Sequence, residues 1–392
     1  MAFETREADT IIVGAGPAGL AVGAELRRSG IPFVMLERGR QVAESWHRHY
    51  ERLSLHTPKR TSALPGLPFP RDYPTYPSRQ QVIAYFDDYA RTFDLHPELG
   101  REVSRCMRDS DGRWVLSSNA GEYRAHNLVM ATGLNRVPSI PRWPREETFP
   151  GPIVHTYDYT NGERLRGQRV LVVGFGNSGA EIALDLLEHG ARPAIAVRSK
   201  VNVVPRDLLG IPITLFALFW KPFPARFADA MNRMTLRLAV GKLSAIGLSK
   251  RDDGPFVQIT ESRTIPVIDV GTIARIRSGE IDVRKNVESF DGAAVRFAGG
   301  TSERFDAIVL ATGFTTGLAG MFPNQPDVLD DQGRPLTNGR ESAVPGLFFC
   351  GYAVSRGGVL REIGTEARRI ARSIAARASE APMPLRGIVA AN

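Results

Sequence analysis

One short pattern occurs twice in this sequence, and the repeat constrains the fold more than any other feature. Each copy begins with four β-branched or apolar residues, at positions 10–13 and 170–173, and continues as Gly-x-Gly-x-x-Gly into a helix-forming stretch. In such a unit the first glycine makes a tight turn, the second lets the backbone approach a pyrophosphate, and the third lets helix and strand pack closely. Two copies therefore predict two dinucleotide sites in one chain. The glycines are Gly14, Gly16 and Gly19 in the first copy and Gly174, Gly176 and Gly179 in the second.

The first copy is followed by the other parts of a dinucleotide-binding unit. A helix is predicted over residues 20–28, and its free N-terminal amides would face the phosphates. A second strand, residues 33–36, ends in Glu37. This acid lies about 20 residues after the glycines, where a carboxylate can accept hydrogen bonds from ribose hydroxyls. Glycines alone would be a weak signal, but strand, glycines, helix, strand and acid together are a strong one.

Residues 46–85 are rich in aromatics, prolines and histidines. The prolines predict an extended segment that would lie across a cofactor, which makes Trp46 a candidate contact. The spacing of His47, His49 and His56 matches no metal site, and no metal is expected.

Two further strands each enter a turn of small residues. Residues 127–130 lead into Thr132-Gly133, and residues 308–311 lead into Thr312-Gly313. Each turn follows one of the nucleotide motifs, which indicates a chain that leaves a nucleotide domain and later returns to it. Thr132, Thr312 and Gly313 are therefore candidate cofactor contacts.

The second site differs from the first at the end of its second strand. Residues 194–197 are followed by Arg198-Ser199-Lys200 rather than by an acid. A carboxylate would repel a 2′-phosphate, whereas Arg198 can bind it with a forked contact, so this site is expected to prefer NADPH. The alternative is a solvated basic turn. Asn177 and Ser178, between the glycines, are further candidate contacts of this cofactor.

Composition narrows the remaining possibilities. A chain of 392 residues is about right for two domains. The formal net charge is +8, but the basic residues are scattered, so no nucleic-acid partner is expected. No stretch approaches the ~20 apolar residues of a membrane span. The polar, acidic start lacks the apolar core of a signal peptide and predicts a cytoplasmic protein. We expect a monomer or homodimer that acts on a small molecule. The two cysteines, Cys106 and Cys350, are too far apart in sequence for a dithiol motif.

The segment just before the second glycine motif carries a family resemblance. Its residues Phe149, Gly151, His155 and Tyr159 fit the fingerprint of the class B flavin-dependent monooxygenases. Within that class, residues 197–210 and 265–279 closely resemble the YUCCA-type flavin monooxygenases, which convert indole-3-pyruvate to indole-3-acetate. The resemblance covers residues 10–374, nearly the whole chain.

The resemblance implies a fold, two cofactors and an activity. The fold would be α/β, with two Rossmann-like domains: an FAD domain made of residues 1–155 and 300–392, and an NADPH domain, residues 160–295, inserted into it. NADPH would reduce FAD, and reduced flavin with O2 would give a C4a-(hydro)peroxyflavin that oxygenates the substrate. The fingerprint residues would support the junction between the domains. The expected FAD contacts are Gly14, Gly16, Gly19, Glu37, Trp46, Thr132 and Gly351.

Several points stay open at this level. His56 and Lys59 are candidate catalytic residues, although Lys59 equally suits a surface charge. Residues 211–250 predict a helical subdomain, with buried packing favoured over a membrane-touching surface. Three alternatives to 2-oxo-acid decarboxylation are N- or S-oxygenation of amines and sulfides, an NADPH oxidase that releases hydrogen peroxide, and a non-catalytic nucleotide sensor.

Overall fold

The computed structural model describes residues 5–323 and 326–380. It has the α/β architecture that the repeated motif predicts, with two sheets each built around one Gly-x-Gly-x-x-Gly unit. The helices are α1 (Pro17–Arg28), α2 (Glu44–His47), α3 (Lys59–Ser62), α4 (Arg79–Thr92), α5 (Asn177–Glu188), α6 (Ile213–Phe219), α7 (Ala225–Val240), α8 (Pro255–Thr260), α9 (Thr272–Arg277) and α10 (Val359–Glu380). The strands are β1 (Thr5–Val13), β2 (Val34–Glu37), β3 (Glu98–Leu99), β4 (Val103–Arg108), β5 (Trp114–Ser118), β6 (Gly121–Met130), β7 (Val137–Pro138), β8 (Ile153–His155), β9 (Arg169–Val173), β10 (Arg192–Val197), β11 (Val203–Pro205), β12 (Asp207–Leu208), β13 (Ile211–Pro212), β14 (Val267–Asp269), β15 (Asp282–Lys285), β16 (Val287–Asp291), β17 (Ala294–Phe297), β18 (Ser302–Arg304), β19 (Ala307–Leu310), β20 (Phe314–Thr315) and β21 (Leu347–Phe349).

The first sheet has the strand order β3-β2-β1-β6-β5-β4, and β21 also pairs with β6. Its central strands are parallel, and the C-terminal ends of β1 and β6 are buried, with α1 and α10 covering one face. Strands β4 and β5 are antiparallel and extend the sheet from one half of β6. The return of the chain as β21 beside β6 is the return to the first domain that the sequence predicts.

The second sheet has the order β15-β10-β9-β19-β8 and is parallel throughout. It contains β8 and β19, both of which the predicted limits of 155 and 300 assigned to the first domain. Strand pairing moves both to the second sheet, because β19 lies between β8 and β9. The chain therefore leaves the first sheet after Met130, at the end of β6, and leaves the second sheet after Leu310, at the end of β19, beside the two expected cofactor turns.

The predicted helical subdomain is present as α6 and α7, but the favoured expectation of buried packing is wrong. Only Thr214 of α6 and only Ala228 and Val240 of α7 are buried. One face of the pair contacts the interior and the other stays exposed. Within the described ranges, no helix combines the length and the apolar character that crossing a membrane requires.

Candidate functional site

The first glycine motif forms a cradle at the carboxyl end of β1. Gly14 has φ +108°, and a Cβ there would lie 2.5 Å from the carbonyl oxygen of Ala131. A Cβ on Gly19 would lie 1.9 Å from the carbonyl oxygen of Gly14, so the helix can approach the strand only without a side chain. At Gly16, by contrast, a Cβ would meet no atom within 4 Å. That open space lies at the N-terminus of α1, which has no side-chain cap, and fits a pyrophosphate.

Glu37 ends β2 and holds the loops of this cradle. One carboxylate oxygen accepts from the backbone N–H of Ala15 and the other from that of Gly39, each at 2.7 Å. The carboxylate faces the same cavity as Gly14 and Gly16. It retains lone pairs for ribose hydroxyls because each oxygen accepts only one of these bonds.

Thr132 and Gly351 lie on the opposite side of the first cradle and are fixed by buried partners. The Thr132 N–H donates to the Tyr352 hydroxyl at 3.0 Å, and burial raises the pKa of Tyr352 to about 12. The Gly351 N–H donates to Glu366 of α10 at 2.7 Å. The aromatic residue at 352 thus anchors the turn after β6, a role that the sequence did not reveal. Trp46 also lines the cavity and meets Phe86 edge-on at 5.7 Å between ring centroids.

The second cradle repeats the geometry of the first. Gly174 has φ +111°, and a Cβ on Gly179 would lie 2.2 Å from the carbonyl oxygen of Gly174. Gly176 is again open, with no atom within 4 Å of a Cβ position. Asn177 accepts from the Ile268 N–H at 2.7 Å, which ties the start of α5 to β14. Ser178 lines the cavity beside it.

The basic triplet after β10 lies apart from the main cavity. Arg198, Ser199 and Lys200 are exposed and are absent from the cavity wall. The Lys200 ammonium pairs with Asp252 at 2.7 Å, whereas no carboxylate of the described chain lies within 4 Å of Arg198. Arg198 is therefore available to an anion at the carboxyl end of β10.

The fingerprint residues lie at the junction where the chain enters the second sheet, on and around β8. Gly151 is required because a Cβ there would lie 2.0 Å from the carbonyl oxygen of Asp306. The His155 Nε2 lies 3.1 Å from the Gly313 carbonyl oxygen, its Nδ1 accepts from the Tyr157 N–H at 3.1 Å, and burial lowers the pKa of His155.

Other members of the junction are equally fixed. The Tyr159 hydroxyl donates to Asp185 of α5 at 2.6 Å, and burial raises the pKa of Tyr159. Phe149 packs in the core against Phe290. The Thr312 hydroxyl donates to the Ser139 carbonyl at 2.5 Å. The contacts of Phe149 and Tyr159 hold the segment that enters the second sheet against the core of that domain.

The two catalytic candidates have different surroundings. His56 lines the cavity, and its Nε2 is hydrogen-bonded to Glu181 of α5. Lys59 lies outside the cavity wall, and its ammonium donates to the carbonyls of Pro70, Arg71 and Tyr73. Those three bonds use all its donors, so the geometry gives Lys59 a structural role in holding the proline-rich segment.

Three residues near His56 were missed by sequence reasoning. Glu181 is 2% exposed, and burial raises the pKa of the neighbouring Tyr50. Burial, aided by Arg79, lowers the pKa of His49 to about 4, so this cavity residue is neutral at physiological pH. His56 and Glu181 come from different domains and are 125 residues apart in the sequence. Their contact therefore leaves no local signal in the sequence.

Both cradles open into one cavity of about 890 Å³ between the sheets. Its wall includes Gly16, Glu37 and Thr132 of the first domain and Gly176 and Ser178 of the second. The inner faces of α6 and α7 close it on a third side. Two open phosphate positions facing one space are what a dinucleotide pair needs in order to exchange a hydride.

The fold and this paired cradle define a class: an oxidoreductase with two dinucleotide-binding domains. Residues 11–206 match the family model for pyridine nucleotide-disulphide oxidoreductases. The chain is 40% identical over 364 residues to indole-3-pyruvate monooxygenase YUCCA1 of Oryza sativa subsp. japonica. The matched region covers 89% of this chain and 87% of the relative. It is 39% identical over 377 residues to indole-3-pyruvate monooxygenase YUCCA6 of Arabidopsis thaliana, with 93% and 89% covered. The chain belongs to the YUCCA family of flavin monooxygenases, and it is an enzyme that uses FAD, NADPH and O2.

Solved structures show the same fold. A flavin-containing monooxygenase from Stenotrophomonas maltophilia superposes with a TM-score of 0.71 at 22% identity, covering 95% of this chain and 99% of that one. An open crystal structure of cyclohexanone monooxygenase gives a TM-score of 0.74 at 18% identity, covering 95% and 88%. The predicted fold with two Rossmann-like domains is thereby confirmed.

Proposed function

We propose that this enzyme converts indole-3-pyruvate, or a closely related aromatic 2-oxo acid, to the acid shortened by one carbon. The observation that carries the proposal is the likeness to relatives named indole-3-pyruvate monooxygenases over about nine-tenths of the chain. The reaction balances as indole-3-pyruvate, NADPH, a proton and O2 giving indole-3-acetate, carbon dioxide, NADP⁺ and water. One oxygen atom enters the new carboxylate at the former ketone carbon, the bond to the old carboxyl carbon breaks, and the other oxygen atom leaves as water.

The part of the cavity away from the cradles suits such a substrate. Apolar side chains from three helices form its wall, among them Phe216, Leu236 and Phe256. Arg356 lies at the edge of this wall, with its guanidinium 5.2 Å from the centroid of the Phe256 ring. The guanidinium donates to the carbonyls of Trp220 and Phe223 and to the Thr260 hydroxyl, and no carboxylate of the described chain neutralises its charge. An apolar wall with one cation favours a flat aromatic acid over a polar amine such as lysine.

Each cofactor has a set of proposed contacts. FAD would lie on Gly14, Gly16, Gly19, Glu37, Trp46, Thr132 and Gly351. NADPH would lie on Gly174, Gly176, Asn177, Ser178 and Gly179, with Arg198 at its 2′-phosphate and Thr312 and Gly313 at the junction. Ser199 and Lys200 would at most flank that phosphate, because Lys200 already pairs with Asp252.

The bound flavin would supply the activation of O2 with electrons taken from NADPH. The chain itself would position the two nucleotides and exclude water. His56 would act as a positioning residue, because Glu181 fixes its ring at the cavity wall. The neutral His49 adds no charge beside it. Lys59 is not proposed to act, since its donors are already bound to backbone carbonyls.

The test is aerobic NADPH turnover with indole-3-pyruvate, in which indole-3-acetate and hydrogen peroxide are both measured. We expect indole-3-acetate to form in nearly one-to-one ratio with NADPH consumed. NADPH consumption matched by peroxide alone would identify an oxidase. Faster oxygenation of methimazole or lysine than of the 2-oxo acid would move the enzyme to sulfur or nitrogen substrates.

A further inference from the structure

The outer face of α6 and α7 carries large apolar side chains that nothing in the described chain covers. On α7 they are Phe227, Met231, Met234 and Leu238, whose spacing of four, three and four residues puts them on one side of the helix. Leu238 is 78% exposed and Met234 is 67% exposed. An apolar row of this length on an exposed helix indicates an interaction site.

Aromatic residues extend the row toward α6. Phe219 is 67% exposed, and its ring lies 5.5 Å from that of Trp220. Phe223 joins the same group, 5.3 Å from Trp220 and 6.0 Å from Phe227. We call these residues, from Phe219 to Leu238, the α6–α7 face.

A basic row runs beside the apolar row. Arg226, Arg233 and Arg237 each precede an apolar member of the row by one residue, so they lie on the adjoining side of the helix. Arg226 pairs with Glu261 at 3.6 Å. Within the described ranges, no carboxylate lies within 4 Å of Arg233 or Arg237. Two of the three cations are therefore available to an external anion.

The face has no compensating negative charge. The one acid between Lys221 and Lys242 is Asp229. It turns inward, and its two oxygens accept from the N–H groups of Phe256 and Val257 at 2.9 Å. A second copy of the chain across a two-fold axis would therefore bring arginine against arginine. A surface of anionic lipid headgroups offers the opposite charge to the arginines and an apolar layer to the row.

We infer that the α6–α7 face docks the enzyme on the surface of an anionic membrane. The apolar row enters the boundary between headgroups and acyl chains, and the arginines contact lipid phosphates. The inner faces of the same helices line the cavity, through Ile213, Phe216 and Leu236 among others. Docking therefore places the helices that form one wall of the substrate cavity at the lipid surface.

The experiment uses the full-length, FAD-loaded protein and co-sedimentation with vesicles. One set contains phosphatidylglycerol and phosphatidylcholine in equal parts, and the other contains phosphatidylcholine alone. We expect binding to the anionic vesicles at low salt, and weaker binding as salt is added. The double variant Phe227→Gln/Met234→Gln and the double variant Arg233→Gln/Arg237→Gln should each lower the partition coefficient about tenfold.

A matched control is Leu336→Gln, because Leu336 is 53% exposed but lies outside the face. It should leave binding unchanged, and all variants should keep the melting temperature and the rate of flavin reduction by NADPH. Equal binding to both vesicle types, or no binding to either, would overturn the inference. A dimer that the Phe227→Gln/Met234→Gln variant dissociates would also overturn the inference, and it would assign the face to a second copy of the chain. If a variant that ends at Glu380 bound the vesicles and the full-length protein did not, the α6–α7 face would be assigned to the C-terminal residues as their docking site.

Discussion

The two open glycines allow each cofactor to be removed separately. Gly16 has φ −78° and ψ −173°, and Gly176 has φ −98° and ψ −171°, conformations that any L-residue adopts. A Cβ at either position meets no protein atom within 4 Å. Alanine there should change the free energy of unfolding by less than about 0.5 kcal/mol. The added methyl group would instead enter the space that we propose for a pyrophosphate at the helix N-terminus.

The expected loss of affinity follows from the hydrogen bonds that the methyl group prevents. Each backbone N–H bonded to a charged phosphate contributes roughly 1.5–3 kcal/mol, and losing two removes about 3–6 kcal/mol. The dissociation constant then rises by roughly two to four orders of magnitude. Gly16→Ala should abolish FAD retention, while Gly176→Ala should keep FAD and lose NADPH. Gly19→Ala is the contrasting variant: its Cβ would lie 1.9 Å from a carbonyl oxygen, so it should unfold the domain.

The assay combines the flavin-to-protein ratio of purified protein, the melting temperature and titration with NADP⁺. A Gly16→Ala protein that retains FAD but loses NADP⁺ would exchange the two assignments. Normal binding of both cofactors by Gly16→Ala and Gly176→Ala would show that neither cradle holds a pyrophosphate.

Three further predictions concern charged residues. Burial raises the pKa of Glu366 from 4.5 to about 7. Between these two pH values the folded state holds a proton that the unfolded state has lost. The free energy of unfolding should therefore fall by about 3 kcal/mol as pH rises from about 4.5 to 7. Glu366→Gln should flatten that decline in urea unfolding at several pH values, and an unchanged slope would contradict it. Arg198→Ala should raise the KM for NADPH roughly 10- to 100-fold and leave the KM for NADH unchanged. Lys200→Ala is the control and should change neither KM appreciably. Equal changes for both cofactors in Arg198→Ala would exclude a role for Arg198 at the 2′-phosphate. Glu181→Ala should lower the free energy of unfolding by about 3 kcal/mol because the partly buried His56 ring loses the acceptor that holds it. Truncating the more exposed Glu188 on the same helix should lower it by less than about 1 kcal/mol, and similar losses for the two variants would refute the role of the His56–Glu181 pair.

The cradles could be predicted from sequence because each depends on local backbone geometry. Gly14 and Gly174 need positive φ, and Gly19 and Gly179 need close approach between a helix and the preceding turn. Such requirements fix residue type at a fixed spacing, so the pattern is visible without a structure. The resemblance to a known family then supplied the cofactor of each cradle.

Contacts between distant segments were not predictable in the same way. Tyr352 holds the turn at Thr132 across 220 residues, and Lys59 holds carbonyls rather than facing the cavity. In the second sheet β19 pairs with β8 and β9, and an apolar strand pattern does not encode which strands become its neighbours. For α7, the apolar spacing indicated an amphipathic helix correctly, but spacing alone does not say whether the apolar side meets protein or solvent.

The central claim is that the first cradle holds FAD and the second delivers electrons to it from NADPH. The most direct measurement is the visible absorption spectrum of the purified protein, recorded anaerobically before and after one equivalent of NADPH. The account predicts a flavin spectrum that bleaches in the wild-type protein and in Leu336→Gln, persists unbleached in Gly176→Ala, and is missing from Gly16→Ala. A colourless wild-type protein that takes up no FAD, or a bound flavin that NADPH leaves oxidised, would contradict it.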